Sequence, residues 1–470
     1  MIRLVLKEII DAIGGHVRSE PPARSVTGVS TDSRTIRENE LFFAISGPNF
    51  DGHDFLPAVF QRGAAGAVVS AVRAGEAIER VSAAGFASAT LIVAADPVEA
   101  LGKLAAFHRR QLSADVIAVV GSNGKTTTKT MIDHVLSARL KGRSSPKSFN
   151  NSIGVPITLL SADLADEYVV VEIGTNAPGE VAALSKITGP NMAVITSIGE
   201  EHLEGLGDLK GVAREESAVL PHLPAGGFAA INIDAPHMRE HLPPPNITTV
   251  TFGLANDAAL RITPPAYDDG MLAFKLNGRF AYRLPVPGAH NAYNATAAVA
   301  IARRLGFDHE EIAARLLTFS PPPMRMEVVE AGGVKIINDA YNANPASTLA
   351  AIEMLESMPA AGRRIFVFGE MRELGEHAPA QHRRIADRLR SSRVDHYVAV
   401  GRAAEWMFGS DKPSSLARPT AEAVATVAEA AARACELARP GDVVLVKASR
   451  TIGLERVVES LRLREPAAVG

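Results

Sequence analysis

Short apolar runs alternate along most of the chain with longer stretches in which apolar residues recur at helical spacing. Continuous apolar runs are typical of strands buried on both faces, and helices between them are typical of a parallel sheet. The pattern therefore predicts an α/β fold with a mostly parallel sheet. The predicted strands of its central part cover residues 116–120, 168–173, 192–196 and 228–233, shorter strands cover 272–276 and 282–284, and a helix covers 291–305.

Three blocks of this alternation predict three domains. The first, residues 1–97, is a small α/β domain that begins with an amphipathic helix ending at Gly14. Asp96 and Pro97 form a typical helix start at its boundary. The second, residues 98–320, is a central domain built on a P-loop-type, mostly parallel sheet.

Three prolines follow Ser320 and predict a stiff linker, because consecutive prolines hold the chain extended. Strands and helices alternate again beyond them, so we predict that the third domain, residues 321–470, is Rossmann-like. Its predicted strands cover 335–338, 364–368, 397–400 and 443–447, and its predicted helices include 421–438.

Composition narrows the class of protein. A chain of 470 residues is too long for one core, and 47% hydrophobic with 21% charged residues is ordinary for a soluble protein. The net charge of −3 argues against a nucleic-acid partner. The lone Cys435 excludes an internal disulfide, and no apolar run approaches the roughly 20 residues that span a bilayer. We expect a soluble cytoplasmic protein, since the charged residues at the start are unlike a signal peptide.

The turn after the strand 116–120 has the sequence GSNGKTTT. It leaves backbone N–H groups free at a helix N-terminus, where the helix dipole favours an anion. Lys125 can approach the outer phosphates of a nucleotide and the Thr126 hydroxyl can bind Mg²⁺, although Val119 stands where the common, longer P-loop has a glycine. The alternative is a plain strand–turn–helix with a solvated lysine. The residues predicted to bind ATP phosphates are Gly121, Ser122, Asn123, Gly124, Lys125, Thr126 and Thr127.

Two further side chains follow neighbouring predicted strands. Glu172 ends the strand 168–173, and His202 comes after the strand 192–196. Because ligands collect beyond the carboxyl ends of parallel strands, we expect both beside the turn, where a carboxylate can hold Mg²⁺. The alternatives are a helix cap or ion pair for Glu172 and a structural role for His202. Solvent exposure is expected for the nearby Glu200, Glu201 and Glu204.

Polar residues near the predicted domain boundary at residues 320–321 are candidates to bind the adenine, the ribose and the phosphates of a nucleotide. Asn294 has the donor and acceptor that match an adenine edge, Asp339 follows a strand where ribose hydroxyls bind, and Arg325 can close on phosphate. Their alternatives are a helix cap, an Asx-turn cluster and plain surface charge. The segment DAYNANPAS can hold a small zwitterion, and its candidate residues are Tyr341, Asn342 and Asn344.

In this order, the segments GSNGKTTT, FNNSIGVP, EIGTN, HLEG and PGAHNAYNA resemble the Mur ligases, ATP-dependent enzymes that form amide bonds in peptidoglycan synthesis. The resemblance covers essentially the whole chain. Three other segments, DAYNANPAS, GEMRELG and KASRTIGLERVV, resemble the branch that adds a dipeptide. The DNPR-like motif typical of the branch that adds lysine or diaminopimelate does not occur.

The resemblance implies a monomeric ligase that uses ATP and Mg²⁺ to join D-alanyl-D-alanine to UDP-N-acetylmuramoyl-tripeptide through an acyl phosphate. It implies catalytic roles for Lys125, Glu172 and His202, and it gives Thr126, Glu172 and His202 as metal ligands. For ATP it implies Asn294 at adenine, Asp339 at ribose and Arg325 at the phosphates. The residues implied to bind the two substrates are Asp32, Ser33, Arg34, Asn150, Asn151, Tyr341, Asn342 and Asn344.

One departure from the family concerns the second metal. Many relatives have a lysine about fourteen residues after the histidine of HLEG, and its carbamate supports a second Mg²⁺; this chain has Glu216 there. A glutamate offers the same charge on a shorter stem. We predict that Glu216, or Glu215 if the register slips, fills this role without carbon dioxide. The alternative is that both are solvated helix charges.

Two other functions stay open on the sequence. The chain can be a related amide ligase with a different amine acceptor, or a UDP-muramyl-peptide-binding protein that has lost turnover. Only the missing lysine suggests the second, and Lys125, Glu172 and His202 argue against it.

Overall fold

The computed structural model describes residues 4–17, 25–268, 270–409 and 419–463. Within these ranges the helices are all too short or too polar to cross a membrane. The predicted α/β class is confirmed, because parallel sheets with helical connections form most of the structure.

The first part of the chain forms a five-stranded sheet and a separate two-stranded pair. Its elements are β1 (Leu4–Val5), α1 (Leu6–Ile13), β2 (His16–Val17), β3 (Ser25–Val26), β4 (Gly28–Ser30), β5 (Glu40–Phe43), α2 (Leu56–Gln61), β6 (Gly66–Ser70), α3 (Ala74–Ala83) and β7 (Leu91–Ala94). The larger sheet has the order β2-β7-β6-β5-β4, and only β2 runs antiparallel to its neighbour. The predicted first helix ends at Gly14, whose φ of +66° gives the left-handed cap that glycine favours.

The central part contains a seven-stranded parallel sheet of order β14-β13-β12-β11-β8-β10-β9 and a three-stranded antiparallel sheet, β15-β16-β17. Its strands are β8 (Asp115–Val120), β9 (Gly142–Ser144), β10 (Tyr168–Glu172), β11 (Met192–Ile195), β12 (Phe228–Asn232), β13 (Thr248–Gly253), β14 (Leu260–Arg261), β15 (Ala266–Asp268), β16 (Met271–Leu276) and β17 (Phe280–Leu284). Its helices are α4 (Pro97–Arg109), α5 (Lys125–Leu136), α6 (Gly154–Ser161), α7 (Glu180–Thr188), α8 (Leu203–Leu206), α9 (Leu209–Ser217), α10 (His290–Arg304) and α11 (His309–Leu316). The predicted strands and the helix over 291–305 are confirmed to within two residues.

The register of this sheet brings three strand ends together. Val119 of β8 pairs with Glu172 of β10, and Val120 pairs with Ile195 of β11. Their carboxyl ends therefore lie at one edge, as predicted for parallel neighbours. The three strands are buried on both faces, apart from the half-buried Asp115 at the start of β8, which agrees with their continuous apolar runs.

The last part forms a six-stranded sheet of order β18-β19-β23-β20-β21-β22. Its elements are β18 (Glu327–Ala331), β19 (Val334–Asp339), α12 (Pro345–Ser357), β20 (Arg364–Phe368), α13 (Ala378–Arg390), β21 (His396–Val400), α14 (Arg402–Phe408), β22 (Thr420–Val424), α15 (Val427–Leu437), β23 (Val443–Lys447) and α16 (Glu455–Leu463). All neighbours are parallel except β18, and the four predicted strands are confirmed.

The predicted helix over 421–438 is wrong at its start. Residues 420–424 form the edge strand β22, which pairs in parallel with β21, and the helix begins only at Val427. Thr426 caps the helix, since its side chain accepts from the Glu429 N–H. Alanine-rich composition favours a helix locally, but pairing with a buried neighbouring strand overrides that preference.

A buried histidine fixes the loop that follows β20. His382 of α13 is fully buried, its Nε2 accepts from the Met371 N–H at 3.0 Å, and its Nδ1 donates to the Ala378 carbonyl at 2.7 Å. Its ring also packs against Phe368 and Trp406. Burial lowers the pKa of His382 to about 4, so the imidazole is neutral at pH 7.

This burial predicts a loss of stability in mild acid. The unfolded chain, with a histidine pKa near 6.5, binds the proton first, so the free energy of unfolding falls as pH drops from about 7 towards 4. Between pH 7.5 and pH 5 this one site accounts for about 2 kcal/mol. Urea unfolding of wild type and His382→Gln at both pH values measures it: the variant should lose less stability on acidification. His377→Gln, at an exposed position before the same helix, is the control, and equal pH dependence of all three proteins contradicts the prediction.

Candidate active site around the glycine-rich turn

A cavity of about 860 Å³ lies at the carboxyl ends of the central strands and is closed by residues of the last part of the chain. It collects most of the side chains that the sequence singled out. The predicted residues that line it are Ser122, Asn123, Gly124, Lys125, Thr126, Thr127, Asn150, Asn151, Glu172, His202, Asn294, Arg325, Asp339, Tyr341 and Asn342. Gly121, Asn344, Glu216 and the segment Asp32, Ser33 and Arg34 are not among the lining residues.

The turn between β8 and α5 is held by the segment that follows β11. The Ser122 N–H donates to the Ser197 carbonyl, and the Asn123 N–H donates to the Ser197 hydroxyl, each at 2.8 Å. Gly124 caps α5 with a φ of +85°. A Cβ on Gly124 would lie 2.3 Å from Asn294 Oδ1, so the turn admits no larger residue there.

Lys125 is folded back over the turn. Its Nζ donates to the Gly121 carbonyl at 2.5 Å and lies 3.9 Å from Glu201 Oε1. Burial opposes its charge, but Glu201, Glu216 and Glu172 outweigh burial and raise the pKa of the ammonium group. The lysine is therefore charged when a phosphate enters the cavity.

Glu172 is the centre of a buried polar cluster. Its Oε2 accepts from the Thr126 hydroxyl at 2.9 Å and lies 3.1 Å from Lys129 Nζ, while Oε1 accepts from Asn150 Nδ2 at 3.0 Å. The side chain is 1% exposed. A hydroxyl and a carboxylate in contact form the hard oxygen donor set that Mg²⁺ prefers, so these two residues fit the predicted metal. Magnesium in nucleotide sites takes its other ligands from phosphates and water.

The buried state of the other glutamates corrects two expectations. Glu201 was expected to be solvated, but it is 8% exposed, its Oε1 has no hydrogen-bond donor among the described residues, and burial raises its pKa to about 8. Glu215 and Glu216 are also buried and are not solvated helix charges. One carboxylate oxygen of Glu215 accepts from the Gly179 N–H before α7, and the other accepts from the Val181 N–H in its first turn.

Glu216 lies beneath the glycine-rich turn. Its Oε2 accepts from the Gly121 N–H at 2.7 Å, and its Oε1 is buried without a donor among the described residues. Burial raises the pKa of this carboxyl group, while the nearby Lys125 lowers it. One free carboxylate oxygen close to Lys125 fits a cation ligand, although the described residues hold no cluster of three acidic, histidine or cysteine side chains suited to a metal.

His202 precedes α8 with a left-handed φ of +48°. Its Nδ1 lies 3.4 Å from Glu373 Oε2, in the loop after β20. Burial lowers the pKa of His202, which leaves a neutral imidazole at pH 7 and so a group able to bind a metal.

The last part of the chain brings a second set of charges to the cavity. Asp339, at the end of β19, accepts from Lys447 Nζ at 2.5 Å, and its other oxygen accepts from the Met326 N–H at 3.2 Å. Arg325 lies 4.0 Å from the centre of the Tyr341 ring and donates to the Ser148 hydroxyl at 3.1 Å. The arginine therefore connects the last part of the chain with the central part and is not an isolated surface charge.

The side-chain amide of Asn344 makes two contacts within the protein. Its Oδ1 accepts from the Ser347 N–H at the start of α12, and its Nδ2 donates to Asn123 Oδ1, each at 2.8 Å. These contacts agree with the Asx-turn alternative, and the substrate-binding role of Asn344 stays a prediction. Asn342 lines the cavity, and its carbonyl accepts from Lys447 at 2.9 Å.

The roles predicted for Asn294 at the adenine and for residues 32–34 at the substrate stay predictions. Asn294 accepts from the Thr128 hydroxyl at 3.1 Å and donates to Asn291 at 2.9 Å.

Asp32 and Arg34 form a bidentate pair, at 2.9 and 2.7 Å, and this pairing lowers the pKa of Asp32 to about 2. Their loop, with Ser33, lies apart from the cavity residues.

Sequence reasoning missed two buried lysines. Lys447 ends the buried strand β23, which is the signal that identified Glu172 one domain earlier. Lys129 lies one helical turn after Lys125; it is 2% exposed and donates to the carbonyls of Ser145 and Lys147. Apart from that spacing, no sequence pattern distinguishes Lys129 from a solvent-exposed helix lysine.

Known proteins resemble this chain along its whole length. Family models match three stretches: the Mur ligase family catalytic domain at 25–109, the Mur ligase middle domain at 119–302, and the Mur ligase glutamate ligase domain at 324–450. The UDP-N-acetylmuramoyl-tripeptide–D-alanyl-D-alanine ligase of Bacillus subtilis is 31% identical over 98% of this chain and 99% of its own length. The chain belongs to the Mur ligase family. The enzyme of the same name from Mycobacterium tuberculosis is 35% identical over 98% of each chain.

Solved structures extend the likeness to three dimensions. MurF from Acinetobacter baumannii matches with a TM-score of 0.86 and 29% identity, covering 99% of this chain and 100% of its own. MurF from Thermotoga maritima in complex with ADP has a TM-score of 0.78 and 27% identity, covering 93% of this chain and 97% of its own. The predicted arrangement of a Mur ligase, with a central parallel sheet and several α/β domains, is therefore confirmed.

Because the turn leaves no room for a side chain at position 124, we expect Gly124→Ala to weaken nucleotide binding as well as stability. The added methyl group would displace Asn294 and require a left-handed alanine, so we expect at least a tenfold weaker affinity for ADP together with a stability loss of about 1–2 kcal/mol. Isothermal titration with ADP and thermal unfolding measure the two effects. Gly179→Ala is the matched control, because Gly179 caps α7 with a φ of +90° and open space around its Cβ position. It should lose only stability; equal ADP affinity of the two variants contradicts the prediction.

Proposed function

We propose that this chain is an ATP-dependent, ADP-forming ligase that joins D-alanyl-D-alanine to UDP-N-acetylmuramoyl-tripeptide in the synthesis of peptidoglycan precursors. One observation carries the proposal. The glycine-rich turn, the Thr126–Glu172 pair and the Asp339–Lys447 pair face one cavity formed by two α/β parts of a Mur ligase fold. The full-length relatives named for this reaction support the choice of substrates.

The first step transfers the terminal phosphoryl group of ATP to the peptide carboxylate. Catalysis of such a transfer consists of positioning and of stabilising the charge that spreads over the phosphoryl oxygens. The start of α5 and the charged Lys125 line the cavity that would receive this group, and Arg325 adds a second cation from the last part of the chain. The products of this step are ADP and an acyl phosphate.

Thr126 and Glu172 are the residues that would hold Mg²⁺, and His202 with Glu216 would support a second ion. The metal supplies charge neutralisation of the phosphate oxygens. The protein's own contribution is to hold the ligands still: Lys129 and Asn150 both contact the carboxylate of Glu172 and fix its orientation.

The second step is attack by the free amine of D-alanyl-D-alanine on the acyl carbon. A tetrahedral intermediate forms, its nitrogen gives up a proton to solvent, its C–O bond to phosphate breaks, and inorganic phosphate leaves as the amide bond is completed. The cationic groups that stabilised the first transfer also stabilise the phosphate as it leaves. We assign Tyr341 and Asn342 to the side of the cavity that receives the dipeptide, since both line it.

Each of the three proposed domains would bind a different part of the substrates. Residues 1–97 would hold the UDP-muramyl end through Asp32, Ser33 and Arg34, with Asn150 and Asn151 guiding the peptide into the cavity. Residues 98–320 would hold ATP with Asn294 at the adenine, and residues 321–470 would contribute Asp339 at the ribose. The proposal includes a monomer that acts in the cytoplasm.

The main test is a coupled assay of ADP release with UDP-N-acetylmuramoyl-tripeptide in the presence and absence of D-alanyl-D-alanine. We expect sustained turnover only with both substrates and with Mg²⁺. Replacing the dipeptide by glutamate, lysine or diaminopimelate should leave turnover at background. Turnover with one of these instead identifies a related amide ligase, and binding of the UDP-peptide without any turnover identifies a binding protein.

Glu216 gives a second test within the same assay. Glu216→Gln keeps the shape and the contact to the Gly121 amide, but removes a charge beside Lys125. We expect a drop in kcat of at least tenfold and a higher Mg²⁺ concentration for half-maximal rate. The wild-type rate should not respond to removal or addition of bicarbonate. Full activity of the variant at unchanged Mg²⁺ dependence means that Glu216 does not support the metal.

A further inference from the structure

Six carboxylates line the cavity, and four of them are already engaged. Glu172 and Asp339 each pair with a buried lysine. Glu180 and Asp234 accept from backbone N–H groups of neighbouring turns. Glu201 has no such partner for its Oε1, but it is only 8% exposed and lies 3.9 Å from Lys125.

Glu373 is the exception. Its side chain lines the cavity and is 65% exposed, and no N–H or O–H among the described residues donates to it within hydrogen-bond distance. Its nearest ionisable partner is the imidazole of His202, whose Nδ1 lies 3.4 Å from Glu373 Oε2. It is thus a carboxylate that faces the reaction space with free lone pairs.

The loop that carries Glu373 is built to hold it there. The Met371 N–H donates to the buried His382, and the Arg372 N–H donates to the Ser449 hydroxyl at 2.8 Å. Ser449 in turn donates its N–H to the Glu370 carbonyl at 3.0 Å. Glu373 itself has a φ of +65°, a left-handed conformation that costs a non-glycine residue about 1–3 kcal/mol. A strained residue on an anchored loop, with its side chain in a cavity, points to a function for that side chain.

The remaining charges of the cavity restrict what Glu373 can bind. Lys125, Lys447 and Arg325 place positive charge around the glycine-rich turn and Asp339, which suits the phosphates of a nucleotide. An incoming ammonium group is repelled by those cations and needs a carboxylate of its own. Glu373 supplies one from the loop after β20, beside His202 and therefore close to the strand ends that flank the turn.

We propose that Glu373 binds the ammonium group of the amine acceptor and so orients the dipeptide towards the acyl phosphate; the group then gives up one proton to solvent, and the free amine attacks. This inference rests on the function proposed above, which makes the acceptor a zwitterion with one free amine. Glu373 is then a substrate-binding residue that determines specificity for an acceptor with a charged α-amine.

The test compares wild type with Glu373→Gln, which keeps the size of the side chain and removes its charge. We expect the KM for D-alanyl-D-alanine to rise about tenfold or more, the value of one lost charge-assisted hydrogen bond. The KM values for ATP and UDP-N-acetylmuramoyl-tripeptide should stay within twofold. Glu376→Gln, at an exposed position three residues along the same loop, is the control and should behave as wild type.

A deaminated inhibitor separates ammonium binding from a structural role. Propionyl-D-alanine has the shape of the dipeptide but carries hydrogen in place of the amine. Its inhibition constant should be the same for wild type and Glu373→Gln, because it lacks the group that Glu373 binds. An equal rise for substrate and inhibitor, or an unchanged KM for the dipeptide, overturns the proposal.

The same experiment distinguishes the inference from the function on which it rests. Hydroxylamine traps an acyl phosphate without using the acceptor site, so Glu373→Gln should form hydroxamate at the wild-type rate. If wild type turns over the dipeptide and the variant matches its KM, only the role of Glu373 fails. If wild type shows no dipeptide-dependent turnover, the proposed function fails and the assignment of Glu373 falls with it.

Discussion

The close approach of the turn 121–124 to its surroundings is the constraint on which the site depends. Gly121 has no room for a Cβ, which would lie 2.4 Å from the Thr196 hydroxyl, and Gly124 is equally confined by Asn294. The turn is therefore fixed from two sides, by the end of β11 and by α10. A rigid turn keeps the start of α5 in one position, which lowers the reorganisation needed when a phosphate binds.

Buried charge around this turn is arranged in pairs. Lys129 lies against Glu172, and Lys447 lies against Asp339. Such pairs add little net stability, because desolvation of both ions offsets their attraction, but removing one partner leaves a costly buried charge. Their placement at strand ends indicates that the fold retains them for chemistry. The free energy lost to desolvation yields fixed charges that need no rearrangement during phosphoryl transfer.

The sequence allowed the strands, the glycine-rich turn and most cavity residues to be predicted, because each has a local signal. Glu172 ends an apolar run, and that run is sufficient to place it beside Lys125. The errors arise where the outcome depends on distant partners. The edge strand β22 forms only because β21 is beside it, and Glu201 is buried by packing beneath the turn. None of these contacts can be predicted from the local spacing of apolar and polar residues.

The contact between Asn344 and Asn123 also connects the part of the chain that forms the six-stranded sheet with the part that forms the seven-stranded sheet. Asn123 belongs to the turn that faces the phosphates, and its Oδ1 accepts from Asn344, which begins α12 of the last part. Arg325 makes a second bridge, since its contact at Ser148 reaches a hydroxyl that lies 3.2 Å from Thr126. Both bridges end on residues that bind or neighbour the nucleotide phosphates in the proposed reaction. Because the turn itself is held rigidly, these two contacts fix the last part of the chain against the side of the cavity that would hold the phosphates.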